Sequence, residues 1–257
     1  MGRTYQSVLE VAGSRGSGYV VLLDPDKAPA DDLGRQAELA SRHADFIFVG
    51  GSLCVRHDFD PAVKAVKAAS GVPVVIFPGD STQVSAHADA LLFLSLVSGR
   101  NADLLIGEHV KAAPIIKRQG LEVIPVAYML VESGRMTSVQ FMSQSLAIPR
   151  TKPEIAMAHA LAGEYLGMKL VYMDAGSGAQ DHVPVEIIEA VSKYVSIPVV
   201  VGGGIRTPRQ AEAVAKAGAS LVVTGDVIEQ TGSAALLKEL ADAVHRLPSR
   251  SAGPERS

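Results

Sequence analysis

The sequence predicts a single α/β domain with the (β/α)8 architecture of a TIM barrel, and three observations support this. The length of 257 residues matches one barrel domain of about 250 residues. The composition is 47% apolar, contains 24 Gly and lacks Trp. Short β-branched runs alternate with longer segments of helical period, the pattern of repeated βαβ units. Parallel strands that are covered by helices on their outer face have this composition.

Eight runs are predicted to form strands. They lie near Tyr19–Leu23, Phe46–Val49, Val74–Phe77, Ala90–Phe93, Glu122–Tyr128, Lys169–Met173, Pro198–Val201 and Leu221–Val223. Helices are predicted between most of them, at Asp31–Arg42, Pro61–Ala69, Glu154–Leu166, Val185–Val195 and Pro208–Ala217, and after the last strand at Ala234–Arg246. The gap Pro78–Asp89 is too short for a full helix, so the third helix of the barrel is expected to be reduced or missing.

A doubly wound open sheet is the alternative architecture. It would favour a glycine-rich fingerprint directly after the first strand. The sequence there reads Leu23-Asp24-Pro25-Asp26-Lys27, and the glycine-rich segments come late in the chain. This order favours the barrel.

Residues 1–247 are predicted to form the barrel, and the polar residues 248–257 a disordered tail. The net charge of −3 gives no general attraction for nucleic acid. The longest apolar runs have the length of strands, so no transmembrane segment is expected. The single cysteine, Cys54, excludes an internal disulfide and is interpreted as inert. With no signal peptide in the pattern of the first residues, a cytoplasmic location is expected.

Glycine-rich segments follow the last three predicted strands. They read Tyr172-Met173-Asp174-Ala175-Gly176-Ser177-Gly178, Gly202-Gly203-Gly204-Ile205-Arg206 and Thr224-Gly225-Asp226. The loops after strands seven and eight of such barrels commonly bind phosphate, and glycine lets main-chain N–H groups approach the anion. Thr207-Pro208 adds a helix N-terminus at the same place. One such loop would be explained by a tight turn, but three at one end of a barrel predict phosphate binding.

Two further strand ends carry groups suited to a metal ion. Asp24 ends the first strand, and Ser52 follows two glycines at the end of the second. One carboxylate, one hydroxyl and a substrate diphosphate form a plausible Mg²⁺ site, because Mg²⁺ relies on waters and substrate phosphates more than on a full protein cage. A turn cap is the alternative role for Asp24. Asp26 and Lys27 are interpreted as turn and surface residues.

Asp174 ends the sixth strand beside the predicted phosphate site. A carboxylate at that place is electrostatically unfavourable unless it has a task, so a general base or a ligand for a substrate hydroxyl is predicted. The alternative is a purely structural hydrogen-bonding role.

Other segments are weaker candidates. The segment Glu132-Ser133-Gly134-Arg135 follows the fifth strand and is a candidate cover for the active site. A helix cap and a second anion site are the two interpretations of Ser98-Gly99-Arg100-Asn101. The stretch Met136–Ile148 either lines an apolar groove or forms a plain packing face. The seven histidines show no metal-ligand spacing and are predicted to lie on the surface; they are His43, His57, His87, His109, His159, His182 and His245.

Taken together, these motifs resemble the geranylgeranylglyceryl phosphate synthases, barrel prenyltransferases related to the heptaprenylglyceryl phosphate synthases. The resemblance runs from Leu22 to Glu229 and is most specific to the branch with an AGSGA motif after strand six. It is carried by LLDPDK at Leu22–Lys27, GGS at Gly50–Ser52, FPGDS at Phe77–Ser81, LFLSLVSGRN at Leu92–Asn101, IGEHV at Ile106–Val110, YMDAGSGA at Tyr172–Ala179, VGGGIRTPRQA at Val201–Ala211 and VTGDVIE at Val223–Glu229.

The resemblance implies transfer of a geranylgeranyl group from its diphosphate to the sn-3 hydroxyl of sn-glycerol 1-phosphate, with Mg²⁺ as cofactor. It implies Asp24 and Ser52 as metal ligands and Asp174 as the base. The residues implied to bind glycerol 1-phosphate are Tyr172, Met173, Asp174, Ala175, Gly176, Ser177, Gly178, Gly203, Gly204, Gly225 and Asp226. A homo-oligomer and a peripheral membrane contact for product release are also expected, with no nucleic-acid partner.

Three positions depart from the better-known relatives. Asp174 stands where many carry Glu, Leu22 where some carry Lys, and Asp226 where most carry Asn; the last change casts doubt on the Asp226 side chain, since an acid repels phosphate. Alternatives that stay open are another prenyl chain length such as heptaprenyl, a phosphate-binding barrel isomerase or lyase, and a non-catalytic carrier.

Overall fold

The computed structural model describes residues 2–56, 58–225, 227–228 and 232–245. Asp226, His57 and the predicted tail 248–257 lie outside the described residues. The eight strands are all parallel and form one closed barrel in sequence order, because β1 pairs with both β2 and β8. The (β/α)8 prediction is therefore confirmed.

The strands lie close to their predicted positions. They are β1 Gly18–Leu23, β2 Phe46–Val49, β3 Val74–Ile76, β4 Ala90–Leu96, β5 Glu122–Leu130, β6 Leu170–Asp174, β7 Val199–Gly202 and β8 Leu221–Thr224. Strands β4 and β5 extend beyond the predicted ends, and their seven paired positions make them the longest ladder of the barrel.

Helices surround this barrel. Within the described ranges they are α1 Arg3–Arg15, α2 Ala30–Ser41, α3 Phe59–Ala69, α4 Glu108–Gln119, α5 Ser138–Ser143, α6 Pro153–Tyr165, α7 Val185–Tyr194, α8 Pro208–Lys216 and α9 Ala234–His245. A π-helical turn, Asp103–Gly107, leads into α4. No helix lies between β3 and β4, where residues 77–89 form turns and bends, as the short gap predicts. No helix of the described chain is long and apolar enough to cross a membrane.

Two apolar layers result from the alternation of side chains along each strand. Val20, Phe48 and Val200 point into the barrel, whereas Val21 and Ile47 pack outward against the helices. Helix α1, which the sequence analysis does not predict, adds Tyr5 and Val8 to the inner layer, and so covers the amino-terminal end of the barrel.

Helix α1 is fixed by a residue that is distant in sequence. The Glu122 carboxylate at the start of β5 accepts hydrogen bonds from the main-chain N–H groups of Thr4 and Tyr5, each at 2.9 Å. The Tyr5 hydroxyl donates to the Lys169 carbonyl next to β6 at 3.1 Å. With this end covered, the loops that can form a site lie at the carboxyl ends of the strands.

Candidate active site

One cavity of about 1010 Å³ lies at the carboxyl ends of the strands. Its lining includes residues from five strand ends that the sequence singles out, namely Asp24, Ser52, Tyr172, Asp174, Gly176, Ser177, Gly203, Gly204 and Gly225. Asp24 at the end of β1 and Gly203 at the end of β7 therefore face the same space. One site can therefore include groups from both positions.

Three residues of the predicted phosphate segment lie elsewhere. Met173 and Ala175 are buried in the outer core layer, so any part they play is through the main chain. The Ala175 N–H donates to the Gly202 carbonyl at 3.1 Å, which joins the ends of β6 and β7. Gly178 borders a second, smaller cavity of about 440 Å³ beside the first, together with Lys27, Arg135 and Ser177.

The Asp174 carboxylate is held by two donors. Its Oδ2 accepts a hydrogen bond from the Tyr128 hydroxyl at 2.6 Å, and its Oδ1 accepts one from the Gly176 N–H at 2.7 Å. Burial raises the pKa of Asp174 above its ordinary value, and the hydrogen bonds from Tyr128 and Gly176 offset part of that rise. A carboxylate with a raised pKa that borders a cavity is suited to accept a proton.

Tyr128 is a site residue that the sequence analysis did not identify. It borders the cavity and lies opposite Tyr172 in the β5–β6 register. With Phe77 the two tyrosines form an aromatic cluster whose ring centroids are 5.0–5.9 Å apart. Burial, and then the Asp174 charge, raise the pKa of both tyrosines well above the ordinary value, so both hydroxyls stay protonated as donors. The signal available in the sequence was a tyrosine at matching positions of two neighbouring strands.

The glycines of the predicted phosphate loops adopt backbone angles that favour glycine. Gly176, Gly203 and Gly204 have φ of 92°, 81° and 72°. A Cβ on Gly203 would lie 2.6 Å from the Gly176 nitrogen and 2.7 Å from Asp174 Oδ1, so the two loops touch backbone to backbone. Among the described residues, the N–H groups of Ser177 and Gly203 donate to no protein acceptor, which leaves them available to an anion.

Helix α8 begins beside these loops as the sequence predicts. Thr207 Oγ1 accepts a hydrogen bond from the Gln210 N–H at 3.3 Å, and Gln210 Oε1 accepts one from the Thr207 N–H at 3.1 Å. The two bonds form a capping box, and Pro208 occupies the first turn of the helix.

The ends of β1 and β2 meet at a further part of the cavity, next to the end of β8. A Cβ on Gly51 would lie 2.8 Å from Asp24 Oδ1, so the glycine allows β2 to approach the carboxylate. Asp24 Oδ1 also accepts the Asp26 N–H at 3.0 Å, which is the turn-cap role left open above, and Lys27 Nζ lies 4.0 Å from Asp24 Oδ2. Asp26 and Lys27 both border the cavity, so the surface interpretation misses part of their position.

The donors at this corner are those that Mg²⁺ prefers. The Asp24 carboxylate and the Ser52 hydroxyl are oxygen ligands, and Asp80 adds a second carboxylate to the cavity lining. No cluster of three or more His, Cys, Asp or Glu residues suited to a metal occurs in the described chain. A site with few protein ligands fits an ion that is completed by substrate diphosphate and water.

An apolar arm of the cavity extends between β4 and α4. Leu91 and Phe93 point outward from β4 into the space that a helix between β3 and β4 would occupy. Ala112 of α4 closes this space. The Met136–Ile148 segment contributes Val139 and Phe141 to the lining of the cavity as a whole, in agreement with the groove interpretation. The missing helix thus leaves an apolar slot that is continuous with the polar mouth.

Polar contacts fix the outer wall of this slot. Glu108 Oε2 accepts the Ser81 N–H at 2.9 Å, and the Lys111 and Ser81 hydrogen bonds lower the pKa of Glu108 to about 2. His109 lies within 3.1 Å of the Ser95 hydroxyl, and burial lowers its pKa. His109 is only 7% exposed, so the prediction that the histidines lie on the surface is wrong for this one; its place on the inner face of α4 requires tertiary packing to be recognised.

Sequence and structure comparisons agree with this geometry. The profile of the PcrB family matches residues 10–244. The geranylgeranylglyceryl phosphate synthase of Chitinophaga pinensis is 46% identical over 244 residues, which cover 95% of this chain and 96% of that protein. The enzyme of the same name from Thermococcus kodakarensis is 43% identical over 230 residues, with 89% and 90% coverage.

Among solved structures, (S)-3-O-geranylgeranylglyceryl phosphate synthase from Thermoplasma acidophilum, in complex with substrate sn-glycerol-1-phosphate, superposes with a TM-score of 0.89 at 35% identity. The match covers 96% of this chain and all of that chain. N-(5'-phosphoribosyl)anthranilate isomerase from Pyrococcus furiosus has a TM-score of 0.53 at 17% identity, a likeness that shows the fold alone. The chain belongs to the PcrB family and is similar along nearly its whole length to geranylgeranylglyceryl phosphate synthases.

Proposed function

We propose that this protein is a geranylgeranylglyceryl phosphate synthase, which transfers a geranylgeranyl group to the sn-3 hydroxyl of sn-glycerol 1-phosphate. The reaction forms an ether bond and releases diphosphate. The observation that carries the proposal is that one cavity joins three glycine-rich loops, a buried carboxylate, an acidic corner and an apolar slot. The relative of known structure that was solved with sn-glycerol-1-phosphate supports the choice of acceptor.

Each part of the cavity matches one need of this reaction. The N–H groups of the Ser177 and Gly203 loops would bind the phosphate, and the helix α8 terminus adds its positive end. Asp174 would remove the proton from the attacking hydroxyl as the ether bond forms. The slot along β4 would hold the prenyl tail and so direct the carbon that carries the diphosphate toward the hydroxyl. This proximity lowers the barrier of the reaction.

Asp24 and Ser52 would hold a Mg²⁺ ion at the diphosphate end of the donor. The chemistry that the ion supplies there is neutralisation of the charge that develops on the departing diphosphate. Gly225 would complete the proposed phosphate site, and Asp226, for which a role through the main chain is expected, lies outside the described residues.

Incubation of the protein with labelled sn-glycerol 1-phosphate and a series of prenyl diphosphates, with and without Mg²⁺, tests the proposal. We expect the highest kcat/KM with the C20 donor, a labelled ether product and dependence on Mg²⁺. Preference for a longer donor such as heptaprenyl diphosphate would keep the reaction and correct its chain length. Absence of product with every donor would reject the function.

We propose a peripheral membrane contact at the mouth of the cavity. Met136, Phe141 and Met142 border the cavity, and half or more of each residue is exposed. An apolar rim of this kind would let an amphiphilic product pass directly into a bilayer. Flotation with lipid vesicles tests this: we expect the wild type to float and Phe141→Ser to float less, whereas a wild type that stays in the soluble fraction would contradict it.

We also propose that the protein forms a homo-oligomer. Tyr165 and Leu166 at the end of α6 and Tyr194 at the end of α7 are exposed, and burial between copies would remove this apolar surface from water. Sedimentation equilibrium measures the mass directly. A monomer at micromolar concentration would contradict the proposal.

A further inference from the structure

We propose that Arg135 and Arg206 are positioning residues that hold the loop after β6 in its phosphate-binding shape. The loops after β5 and β7, which carry these arginines, flank that loop. The inference rests on the proposed function, because it concerns how the glycerol phosphate site is kept ready.

The two guanidinium groups bind three consecutive carbonyls from opposite sides. Arg135 donates from Nε to the Gly178 carbonyl at 2.8 Å, and its Nη2 contacts the same oxygen. Arg206 donates from Nη2 to the Ala179 carbonyl at 2.5 Å and from Nη1 to the Gln180 carbonyl at 3.3 Å. Its Nη1 also lies 3.5 Å from the Gly204 carbonyl, so Arg206 links the loops after β6 and β7.

These contacts act on a tight turn. The Ala179 N–H donates to the Gly176 carbonyl at 3.2 Å, which closes a turn with Ser177 and Gly178 at its centre. Among the described residues, the N–H groups of these two central residues donate to no protein acceptor. Since a peptide unit is planar and trans, a guanidinium that fixes the Gly178 carbonyl also fixes the neighbouring Ala179 N–H that closes the turn.

Without such restraint, the backbone of this turn could adopt other conformations. Gly176 and Gly178 have φ of 92° and 69°, and glycine reaches many other backbone conformations at little cost. A phosphate near this turn would also be repelled by carbonyl oxygens that rotate toward it. Two permanent positive charges on the outward carbonyls prevent that rotation and favour the anion.

The planar, forked shape of the Arg206 guanidinium group matters more for this role than its charge alone. Arg206 serves three carbonyls at once, which a single ammonium group on a flexible stem cannot reproduce in the same geometry. Substitution by Lys therefore separates the two contributions, because it keeps the charge and loses the fork.

Arg150 provides a matched control. Its Nη1 donates to the Glu132 and His182 carbonyls, each at 3.0 Å, so it also joins neighbouring loops through main-chain oxygens. Arg150 and Arg206 border neither of the two cavities described above, and Arg135 borders only the smaller one. Loss of Arg150 is expected to lower stability without a specific effect on phosphate.

The experiment compares wild type with Arg135→Gln, Arg206→Gln, the two Lys variants and Arg150→Gln. For each protein we would measure kcat, the KM for both substrates, the Tm, and the dissociation constant for inorganic phosphate at low and high salt. We expect both Gln variants at positions 135 and 206 to raise the KM for glycerol 1-phosphate and the phosphate dissociation constant by about tenfold. The KM for the prenyl donor and kcat should change by less than about threefold, and Lys should restore little.

Three outcomes would overturn the inference. The first is an unchanged KM for glycerol 1-phosphate with a Tm loss equal to that of Arg150→Gln, which means a structural role only. The second is full rescue by Lys together with loss of the effect at high salt, which means a role of charge only. The third is an equal rise of KM in Arg150→Gln. A wild type that binds phosphate but makes no ether product would instead reject the proposed function.

Discussion

The Tyr128 hydroxyl donates a 2.6 Å hydrogen bond to the Asp174 carboxylate across the β5–β6 pair. Burial favours the neutral form of Asp174, whereas this hydrogen bond and the one from the Gly176 N–H favour the ionised form. The proton affinity of the proposed base is therefore set by two opposing influences. Changing either partner should change the pH dependence of the reaction.

Substitution Asp174→Asn should abolish turnover and preserve phosphate binding. The amide cannot accept the hydroxyl proton, but the glycine loops that are proposed to bind the anion are unchanged. We expect kcat to fall by about 10²–10⁴-fold, the range for loss of a general base, with a Tm within a few degrees of wild type. Steady-state kinetics and phosphate titration measure both. Near-normal turnover would remove Asp174 from this role.

Substitution Tyr128→Phe should move the acid limb of the pH profile to higher pH. The base must be ionised, so activity falls as the pH drops through the pKa of Asp174; without the Tyr128 donor that pKa rises further. We expect a shift of about one pH unit in kcat/KM. Tyr19→Phe is the control, since it removes another buried hydroxyl, one that lies 2.8 Å from Thr224 Oγ1. An equal shift in both variants would contradict the prediction.

Substitution Asp24→Asn should weaken the dependence on Mg²⁺. The amide has one neutral acceptor oxygen where the carboxylate has two charged ones, so the affinity for the ion should fall by at least about tenfold. Activity measured over a Mg²⁺ titration reports this as a higher half-saturation. Asp26→Asn is the control, because Asp26 Oδ1 accepts the Val55 N–H at 2.8 Å and an amide oxygen can replace it. An unchanged titration for Asp24→Asn would count against the assignment.

Substitution Gly203→Ala should damage phosphate binding beyond its cost in stability. The residue has φ of 81°, and a Cβ would press on the Gly176 nitrogen and Asp174 Oδ1. Gly167→Ala is a close match, because Gly167 has φ of 87° and an added Cβ there would meet nothing within 4 Å. Both should lose about 1–2 kcal/mol from the backbone angle, measured by urea unfolding. Only Gly203→Ala should lose phosphate affinity, and similar affinities in both variants would refute the steric explanation.

Substitution Glu122→Ala should lower stability without an effect on catalysis. It removes both side-chain acceptors of the Thr4 and Tyr5 N–H groups at the start of α1, a loss of about 1–2 kcal/mol for an N-terminal cap. Urea unfolding measures the loss, and kcat/KM for both substrates should stay at the wild-type value. A change in the kinetic constants without a change in stability would show that the two ends of the barrel are coupled.

Strand positions could be predicted from local pattern, because each strand is a short apolar run between polar turns. The absence of a helix between β3 and β4 could be predicted as well, since Pro78–Asp89 is too short to hold one. The residues bordering the cavity at Asp24, Ser52 and the late glycines follow from the same reasoning, because all parallel strands of a barrel end at one rim.

Features that depend on distant residues were missed. Helix α1 has apolar residues at helical spacing, but its start is capped by Glu122, which is 118 residues from Thr4 in sequence. Tyr128 gains its role only when β5 and β6 pair. The burial of His109 depends on the packing of α4 over the outward face of β4, because no helix follows β3 to cover that face.

Strand β5 joins the amino-terminal end of the barrel to the end that carries the candidate active site. It begins at Glu122, which caps α1, and ends at Leu130, the register partner of Asp174. Eight steps of about 3.3 Å place these levels about 26 Å apart, roughly three times the screening length of about 8 Å in physiological salt. Engineering of surface charge at the amino-terminal end, for attachment to a support or for solubility, should therefore leave the proposed proton transfer at the other end unchanged.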